Sequence, residues 1–235
     1  MKLIAHACGP TLYPSNRILS AREALKNDAD LVELDVQLTA DNKLAVFHDR
    51  DLTKKFGRPE RCCEITAEEF TALRRVENPS VPGDLLEDFF QAEVAPILIH
   101  HGHAAAEALL DLVAEYNYQD KVVFGIKELA SASVIRQRFP QAKIFGFIPD
   151  PEDIEAFAEN GANFIRLWQR WVNPDTAKRV KSSGAELIIM TGGTGTDCRV
   201  GRPNRDCLKN AISWEPDGLL VNDIAFVRAI IAELP

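Results

Sequence analysis

The sequence is short of positive charge and contains no long hydrophobic run. Its 27 lysine and arginine residues are outnumbered by 35 aspartate and glutamate residues, which gives a formal net charge of −8. A standing partnership with nucleic acid or with an anionic membrane surface requires a basic face, so this balance argues against both partners. No apolar segment approaches the roughly 18 residues of a membrane span, and we expect neither a targeting segment nor a stable membrane association.

Cysteine is scarce as well, with five residues in a chain of 235. Their number is odd, their spacing does not match a zinc site, and the adjacent pair Cys62 and Cys63 would form a strained disulfide. We therefore predict reduced thiols and a cytoplasmic protein. Hydrophobic residues make up 46% and charged residues 26% of the chain, which is ordinary for a globular protein, and we expect one domain over residues 1–235.

The segment Leu31–Leu38 alternates polar and apolar residues with the two-residue period of a strand, which places Glu33 and Asp35 on one face. A strand otherwise rich in leucine and valine has little reason to hold two carboxylates unless a cation or proton chemistry uses them. A divalent cation is the economical explanation, because Mg²⁺ and Ca²⁺ prefer carboxylate oxygens. The alternative is that Glu33 is a charge at the strand edge and His48 an ordinary surface histidine.

A second apolar run, Leu44–His48, follows the turn at residues 39–43. This connection is too short for a parallel crossover, so the second run returns antiparallel to the first. A turn centred on Asp41 and Asn42 sets Asp35 opposite His48, roughly 5 Å apart between Cβ atoms. The sequence therefore predicts a histidine beside the two acids.

The rest of the chain alternates apolar strands with amphipathic helices. After a polar loop at Asp51–Ile65, Thr66 is typical of a helix cap and opens a helix that reaches about Arg75. The predicted barrel strands are Leu3–His6, Leu31–Val36, Ile97–His100, Val122–Ile126, Lys143–Phe147, Asn163–Leu167, Glu186–Met190 and Gly218–Val221. The other predicted helices are Ile18–Lys26, Leu85–Ala92, His103–Tyr116, Leu129–Phe139, Glu152–Asn160, Asn173–Ser183, Arg205–Ser213 and Ile224–Leu234.

Eight strands in this order predict a (β/α)₈ TIM barrel of the α/β class, with Leu44–His48 as an extra return strand after strand 2.

Chemistry in such a barrel takes place at the carboxyl ends of the strands. His6, Glu33, Asp35 and His100 all fall at that end of their strands, and the hairpin delivers His48 to the same place. The apolar runs alone place these strands, so the clustering of the polar residues is partly independent support for a shared site.

Four motifs together resemble the glycerophosphodiester phosphodiesterase family: Ile4-Ala5-His6, Pro14-Ser15-Asn16, the run from Glu33 to Asp41, and Val46-Phe47-His48-Asp49. The resemblance implies a metal-dependent phosphodiesterase on a barrel. It implies His6 and His48 as the acid and base, and Glu33 and Asp35 as ligands of Mg²⁺ or Ca²⁺, with Mn²⁺ as a further candidate ion.

The chain departs from the family pattern at several positions, among them Met190-Thr191 and Val221-Asn222, which stand where the family has Trp-Thr and Thr-Asp. Ala7 replaces an arginine and Ser15 a glutamate, while His100 stands where the family has a metal-binding glutamate and Gly102 where it has a phosphate-binding lysine. Histidine can replace a carboxylate as a metal ligand.

Two residues on later strands are candidates for binding the substrate. Lys127 is placed to restore the lost phosphate contact, and Trp168 to form an aromatic wall for the apolar part of a substrate. The alternatives are a solvated charge at Lys127 and simple packing at Trp168.

The glycine-rich segment Thr191–Thr196 is the most distinctive feature of the second half. Such a turn offers backbone N–H groups to an anion or serves as a flexible lid. Arg199, Arg202 and Arg205 follow it and would lend it positive charge.

These observations predict a metal-dependent phosphodiester hydrolase acting on glycerophosphodiesters or on related sugar-phosphate or lipid-derived diesters. One histidine takes a proton from water or from a neighbouring substrate hydroxyl, and the other protonates the leaving alkoxide. Water gives a monoester, and a substrate hydroxyl gives a cyclic phosphate. The alternative is a catalytically silent barrel that binds an anionic ligand or a partner, as the losses at Ala7, Ser15 and Gly102 suggest. The oligomeric state is left open.

Overall fold

A computed structural model describes residues 1–78 and 80–233 of the protein. Its strands are β1 (Lys2–Ala5), β2 (Leu31–Leu38), β3 (Leu44–Val46), β4 (Ile97–His101), β5 (Val122–Ile126), β6 (Lys143–Gly146), β7 (Phe164–Trp168), β8 (Glu186–Met190) and β9 (Gly218–Val221). Its helices are α1 (Ile18–Lys26), α2 (Thr53–Phe56), α3 (Ala67–Ala72), α4 (Leu86–Gln91), α5 (Ala106–Glu115), α6 (Leu129–Arg138), α7 (Ile154–Glu159), α8 (Pro174–Ser182), α9 (Arg205–Ile212) and α10 (Ile224–Ala232). The helix predicted at Ile224–Leu234 agrees as far as Ala232, and Leu234 lies outside the described residues.

Eight of the strands form a closed parallel barrel. Strand β1 closes it, because Ile4 lies beside Leu31 of β2 on one side and beside Leu220 of β9 on the other. The remaining strand, β3, pairs antiparallel with the end of β2, outside the barrel. The predicted (β/α)₈ barrel with an extra return strand is therefore confirmed.

The alternation of side chains along the strands separates two apolar layers. One set, including Ile4, Leu98 and Phe164, packs inside the barrel, and the intervening residues pack against the surrounding helices. Burying each large apolar side chain contributes roughly 1.5–3 kcal/mol, so both layers hold the strands in register. Consequently, a polar residue at an inward position near a strand's carboxyl end lies at the barrel mouth.

The hairpin after β2 is shifted by one residue from the predicted register. Val36 pairs with Val46, and the Phe47 N–H donates to the Asp35 carbonyl oxygen at 2.9 Å. Asn42 takes a left-handed φ of 59°, and the Thr39 N–H closes the turn on the Lys43 carbonyl. Because a three-residue loop of this kind pairs the residues on either side of it, Asp35 lies opposite Phe47, and the predicted Asp35–His48 pairing is wrong.

The segment predicted as a polar loop, Asp51–Ile65, is instead partly helical. It contains α2 and a 3₁₀ turn at Cys62–Glu64. Three aromatic rings, Phe47, Phe56 and Phe70, pack on one another outside the barrel with centroids 5.7 to 6.1 Å apart, and we call them the aromatic mini-core. Apolar burial at this mini-core orders a segment whose local sequence is polar.

Helix α3 begins at the predicted cap but ends before the predicted boundary. The Thr66 side chain accepts from the Glu69 N–H, and the Glu69 carboxylate accepts from the Thr66 N–H. The helix ends at Ala72, because Leu73 has an extended backbone with ψ of 152°. This early end leads the chain back toward the barrel and buries Arg75.

Across residues 1–78 and 80–233, every helix falls short of the length and apolar character needed to cross a membrane. All five cysteines carry free thiols. The cytoplasmic location stays a prediction.

Candidate active site

A cavity of about 360 Å³ opens at the carboxyl end of the barrel strands. All seven candidate residues line it: His6, Glu33, Asp35, His48, His100, Lys127 and Trp168. The residues predicted from the sequence therefore share one cavity, and their roles stay predictions.

Glu33, Asp35 and His100 form a cluster in the wall of this cavity. Each offers one ligand atom, and these atoms lie within 4.8 Å of one another. Glu33 and Asp35 are only 2% and 6% exposed. Two buried carboxylates and an imidazole that converge on one point suit a divalent cation, because the charge of the cation offsets the repulsion between the two carboxylates.

The electrostatics of the two carboxylates differ. Burial, followed by the nearby charge of Asp35, raises the pKa of Glu33 well above its ordinary value, and a hydrogen bond from the Ala7 N–H at 2.6 Å opposes this. Burial also disfavours ionisation of Asp35, but a 2.8 Å hydrogen bond donated by Nδ1–H of His100 and the charges of the nearby histidines lower its pKa to about 2. Without a cation, Glu33 therefore holds a proton more readily than Asp35 does.

A strained loop supplies the contact to Glu33. Directly after β1, Ala7 and Cys8 take left-handed φ angles of 48° and 66°, which residues with a Cβ rarely adopt. This conformation turns the Ala7 N–H onto the Glu33 carboxylate. Backbone strain of about 1–3 kcal/mol per residue is characteristic of functional loops.

His6 is fixed by a residue from the other end of the chain. Its Nδ1 lies 2.7 Å from Oδ1 of Asn222, just beyond β9. Burial lowers the pKa of His6, and the Asn222 hydrogen bond opposes that shift only in part. The ring is therefore neutral near pH 7, and its Nε2 is free to accept a proton.

His48 is the more exposed of the two predicted catalytic histidines. Its side chain is 62% exposed, and its Nδ1 lies 3.0 Å from Oδ1 of Asp49. The Asp49 carboxylate accepts a hydrogen bond from this nitrogen, which orients the ring at the cavity wall.

Sequence reasoning missed Arg166 on β7. Its side chain lines the cavity, the residue is 5% exposed, and its Nη1 has no hydrogen-bond partner among the described residues. The guanidinium carbon lies 4.4 Å from the centre of the Trp168 ring. Burial, followed by the charge of Arg170, lowers its pKa to about 10, so it stays charged at neutral pH. The sequence feature that could have identified Arg166 is its inward position on β7, two residues after Phe164 of the barrel interior.

Several N–H groups of the glycine-rich segment are already hydrogen-bonded within the protein. The Gly192 N–H donates to Oε1 of Gln169, and the Gly193 and Thr196 N–H groups donate to carbonyls of neighbouring loop residues. Arg205 forms an ion pair with Glu233. These N–H groups are therefore already used, and only Arg199 and Arg202 of the three arginines border a cavity near the site.

Comparison with known proteins agrees with this geometry. The model of the glycerophosphoryl diester phosphodiesterase family matches residues 6–181. Human glycerophosphodiester phosphodiesterase 1 is 30% identical over 135 residues, which cover 51% of this chain and 41% of that protein. A glycerophosphodiester phosphodiesterase from Bacillus altitudinis is 33% identical over 117 residues, which cover 48% of this chain and 40% of that protein. The chain thus spans about two fifths of the length of these relatives.

Solved structures share the fold. A glycerophosphodiester phosphodiesterase from Agrobacterium tumefaciens superposes with a TM-score of 0.78 at 16% identity, covering 97% of this chain and 99% of that one. An Oleispira antarctica phosphodiesterase, solved with its product sn-glycerol-3-phosphate, gives a TM-score of 0.79 at 14% identity over 99% of this chain and 97% of that one. Identities this low speak for the fold alone. The family match over residues 6–181, together with the barrel and its Glu-Asp-His cluster, shows that the chain belongs to the glycerophosphoryl diester phosphodiesterase family.

Proposed function

We propose that this protein is a metal-dependent phosphodiesterase that hydrolyses glycerophosphodiesters or closely related diesters. The observation that carries the proposal is the convergence of Glu33, Asp35 and His100 on one point, beside two histidines in the same cavity. Membership of the family and the glycerol phosphate product of the Oleispira relative support this class of substrate. We further propose that residues 1–235 act as one catalytic domain.

Glu33, Asp35 and His100 are the proposed ligands of Mg²⁺ or Ca²⁺, with Mn²⁺ as a further candidate. A divalent cation bound there supplies positive charge that offsets the negative charge developing on the phosphoryl oxygens. Glu33 must lose its proton to serve as a ligand, so binding of the ion is expected to weaken as the pH falls. The strained loop at Ala7 keeps one Glu33 oxygen hydrogen-bonded and so fixes the carboxylate in place.

We assign the base to His6 and the acid to His48. His6 is neutral because of its burial, and its Nε2 takes the proton of the attacking water or substrate hydroxyl as the new P–O bond forms. His48 gives its proton to the alkoxide oxygen as the bond from phosphorus to the leaving alcohol breaks. The proton count balances, because His6 gives its proton to solvent and His48 takes one from solvent before the next turnover.

Arg166 and Lys127 are the proposed ligands of the phosphate oxygens. The charged Arg166 side chain lines the cavity, and guanidinium groups bind phosphate oxygens through paired hydrogen bonds. Together these two cations compensate for the arginine and the lysine of the family pattern, which are Ala7 and Gly102 in this chain. Trp168 stacks on Arg166 and offers its remaining ring surface to the substrate alcohol.

The test is a chelator experiment on glycerophosphoglycerol. The purified protein is expected to release glycerol phosphate with Mg²⁺, Ca²⁺ or Mn²⁺, to stop when a chelator is added, and to lose this activity in His6→Ala. Binding of the diester without turnover under all three ions would favour the silent barrel and contradict the proposal.

A further inference from the structure

A second cavity, of about 800 Å³, adjoins the active site. His6, His48 and Trp168 line both cavities, so the two share a wall at the catalytic histidines. The second cavity is bordered by five cationic side chains, and we call it the basic cavity: Lys54, Lys55, Arg75, Arg199 and Arg202. Its lining includes two carboxylates, Asp49 and Glu77.

The basic cavity is positively charged, whereas the chain as a whole is negatively charged. Five cations face two carboxylates in its walls, whereas the whole protein carries a formal net charge of −8. Both carboxylates are already engaged, because Glu77 pairs with Lys55 at 3.4 Å and Asp49 with His48 at 3.0 Å. Within residues 1–78 and 80–233, no carboxylate lies within 4.0 Å of the other four cations. The cavity therefore keeps positive charge that the protein does not neutralise.

Arg75 provides an independent observation. It is 3% exposed, yet its Nε has no hydrogen-bond partner among the described residues. Its Nη2 donates to the carbonyl oxygen of Ser15 at 3.2 Å, and its guanidinium lies 5.7 Å from the centre of the Phe56 ring of the aromatic mini-core. A buried cation without a carboxylate partner is costly, and the charge of an anion in the cavity would offset part of that cost.

The cations reach the cavity from distant parts of the chain. Lys54, Lys55 and Arg75 come from the segment around the aromatic mini-core, and Arg199 and Arg202 come from the loop after β8. The two arginines are joined by a backbone hydrogen bond of 2.9 Å from the Arg202 N–H to the Arg199 carbonyl. Segments that meet only through folding thus concentrate one sign of charge beside the catalytic histidines.

We propose that the basic cavity binds a second anionic group of the substrate, and that the preferred substrate is a glycerophosphodiester whose other alcohol carries a further phosphate. This inference rests on the proposed function, since it assigns the cavity to the alcohol part of a bound diester. A cationic alcohol such as choline is repelled by the same residues. The cavity adds affinity outside the scissile phosphate, so its contribution is expected mainly in KM.

The test compares three diesters that share a glycerophosphate half: glycerophosphocholine, glycerophosphoglycerol, and glycerophosphoglycerol carrying a terminal phosphate. At low ionic strength, kcat/KM for the phosphorylated diester is expected to exceed that for glycerophosphoglycerol by about tenfold or more, with glycerophosphocholine lowest. Added salt is expected to reduce the advantage. Equal kcat/KM for the two glycerol diesters would overturn the inference and leave the proposed function intact.

Charge-removing variants test whether the cations of the basic cavity cause the preference for the phosphorylated diester. Lys54 and Arg199 are exposed, so the double variant Lys54→Gln/Arg199→Gln is expected to fold and to reduce the preference to about twofold or less. Lys178→Gln/Lys209→Gln removes the same charge from exposed positions on the outer helices and is expected to keep the full preference. A preference that survives in the first variant, or disappears in the second, would refute the assignment.

A binding measurement covers the case in which none of the diesters is hydrolysed. The proposed function then fails, and calorimetry with the two glycerol diesters decides the inference alone. Binding at least about tenfold tighter for the phosphorylated diester, lost in Lys54→Gln/Arg199→Gln, would support the anion site. Equal affinities would contradict it.

Discussion

His6 on the first barrel strand's end and Asn222 beyond the last strand lie 2.7 Å apart, between Nδ1 and Oδ1. An amide oxygen only accepts hydrogen bonds, so Nδ1 of His6 carries a proton and Nε2 carries the lone pair. The seam at which the barrel closes therefore sets the tautomer of the proposed base.

Replacing Asn222 with leucine keeps the branching of the side chain and removes the acceptor. We expect kcat/KM to fall by about 10-fold to 100-fold, because the ring loses its fixed orientation and tautomer. Steady-state kinetics on glycerophosphoglycerol measures this loss, with the exposed Asn160→Leu as the matched control. Unchanged kinetics in Asn222→Leu would show that the pair has no catalytic role.

Gly201→Ala displaces the Asn222 side chain sterically and leaves both residues of the His6–Asn222 pair unchanged in sequence. A Cβ at Gly201 would lie 2.1 Å from Oδ1 of Asn222, so the amide must move away from His6. Gly184→Ala is the control, because both glycines have a left-handed φ, of 69° and 84°, but nothing lies within 4 Å of a Cβ at Gly184. Both variants are expected to lose about 1–3 kcal/mol of stability in thermal unfolding, and only Gly201→Ala to lose activity.

Metal binding is expected to stabilise the fold. At a hundredfold excess over its dissociation constant, Mg²⁺ would add about 2.7 kcal/mol to the free energy of unfolding, seen as a rise in Tm. Glu33→Gln and Asp35→Asn are expected to abolish this rise, whereas Glu68→Gln at an exposed position keeps it. A rise of equal size in all four proteins would place the ion elsewhere.

The pH profile follows from the lowered pKa of His6. A base whose pKa lies below the ordinary 6.5 stays deprotonated as the pH falls through 6.5, so at saturating Mg²⁺ the acidic limb of kcat/KM is expected below pH 6.5. The Asn222 hydrogen bond raises this pKa, so Asn222→Leu is expected to shift the limb of its residual activity to still lower pH. An acidic limb above pH 6.5 would contradict His6 as the base.

Arg166→Gln removes the buried cation of the cavity wall. We expect kcat/KM to fall by about 100-fold or more, because the developing phosphate charge loses a desolvated, bidentate partner. Arg166→Lys is expected to recover only part of this loss. Arg170→Gln, an exposed neighbour, serves as the control, and equal kinetics for the two glutamine variants would refute the role of Arg166.

Strong local periodicity made much of the fold predictable. Strands β5, β8 and β9 have the predicted bounds, because runs such as Val122–Ile126 are continuously apolar and buried. The hairpin register was wrong by one residue, since it depends on the left-handed backbone of Asn42, which composition does not reveal.

The site was predictable where neighbours in sequence share it. Glu33 and Asp35 lie two residues apart on one strand, and the alternation alone puts both at the cavity. Arg166 escaped notice because a single arginine in an apolar strand says nothing without the inward register of β7. The basic cavity depends on Arg75 and Arg199 meeting in space, and no pattern in the sequence connects them.

The aromatic mini-core lies outside the barrel and carries its own small apolar interior. Phe47 anchors it beside His48, and Phe56 holds it beneath Arg75. The segment meets β2 through its backbone, where the Phe47 N–H donates to the Asp35 carbonyl, while its apolar side chains pack on one another. Grafting the segment between relatives is expected to exchange selectivity for the departing alcohol while the barrel interior stays unchanged.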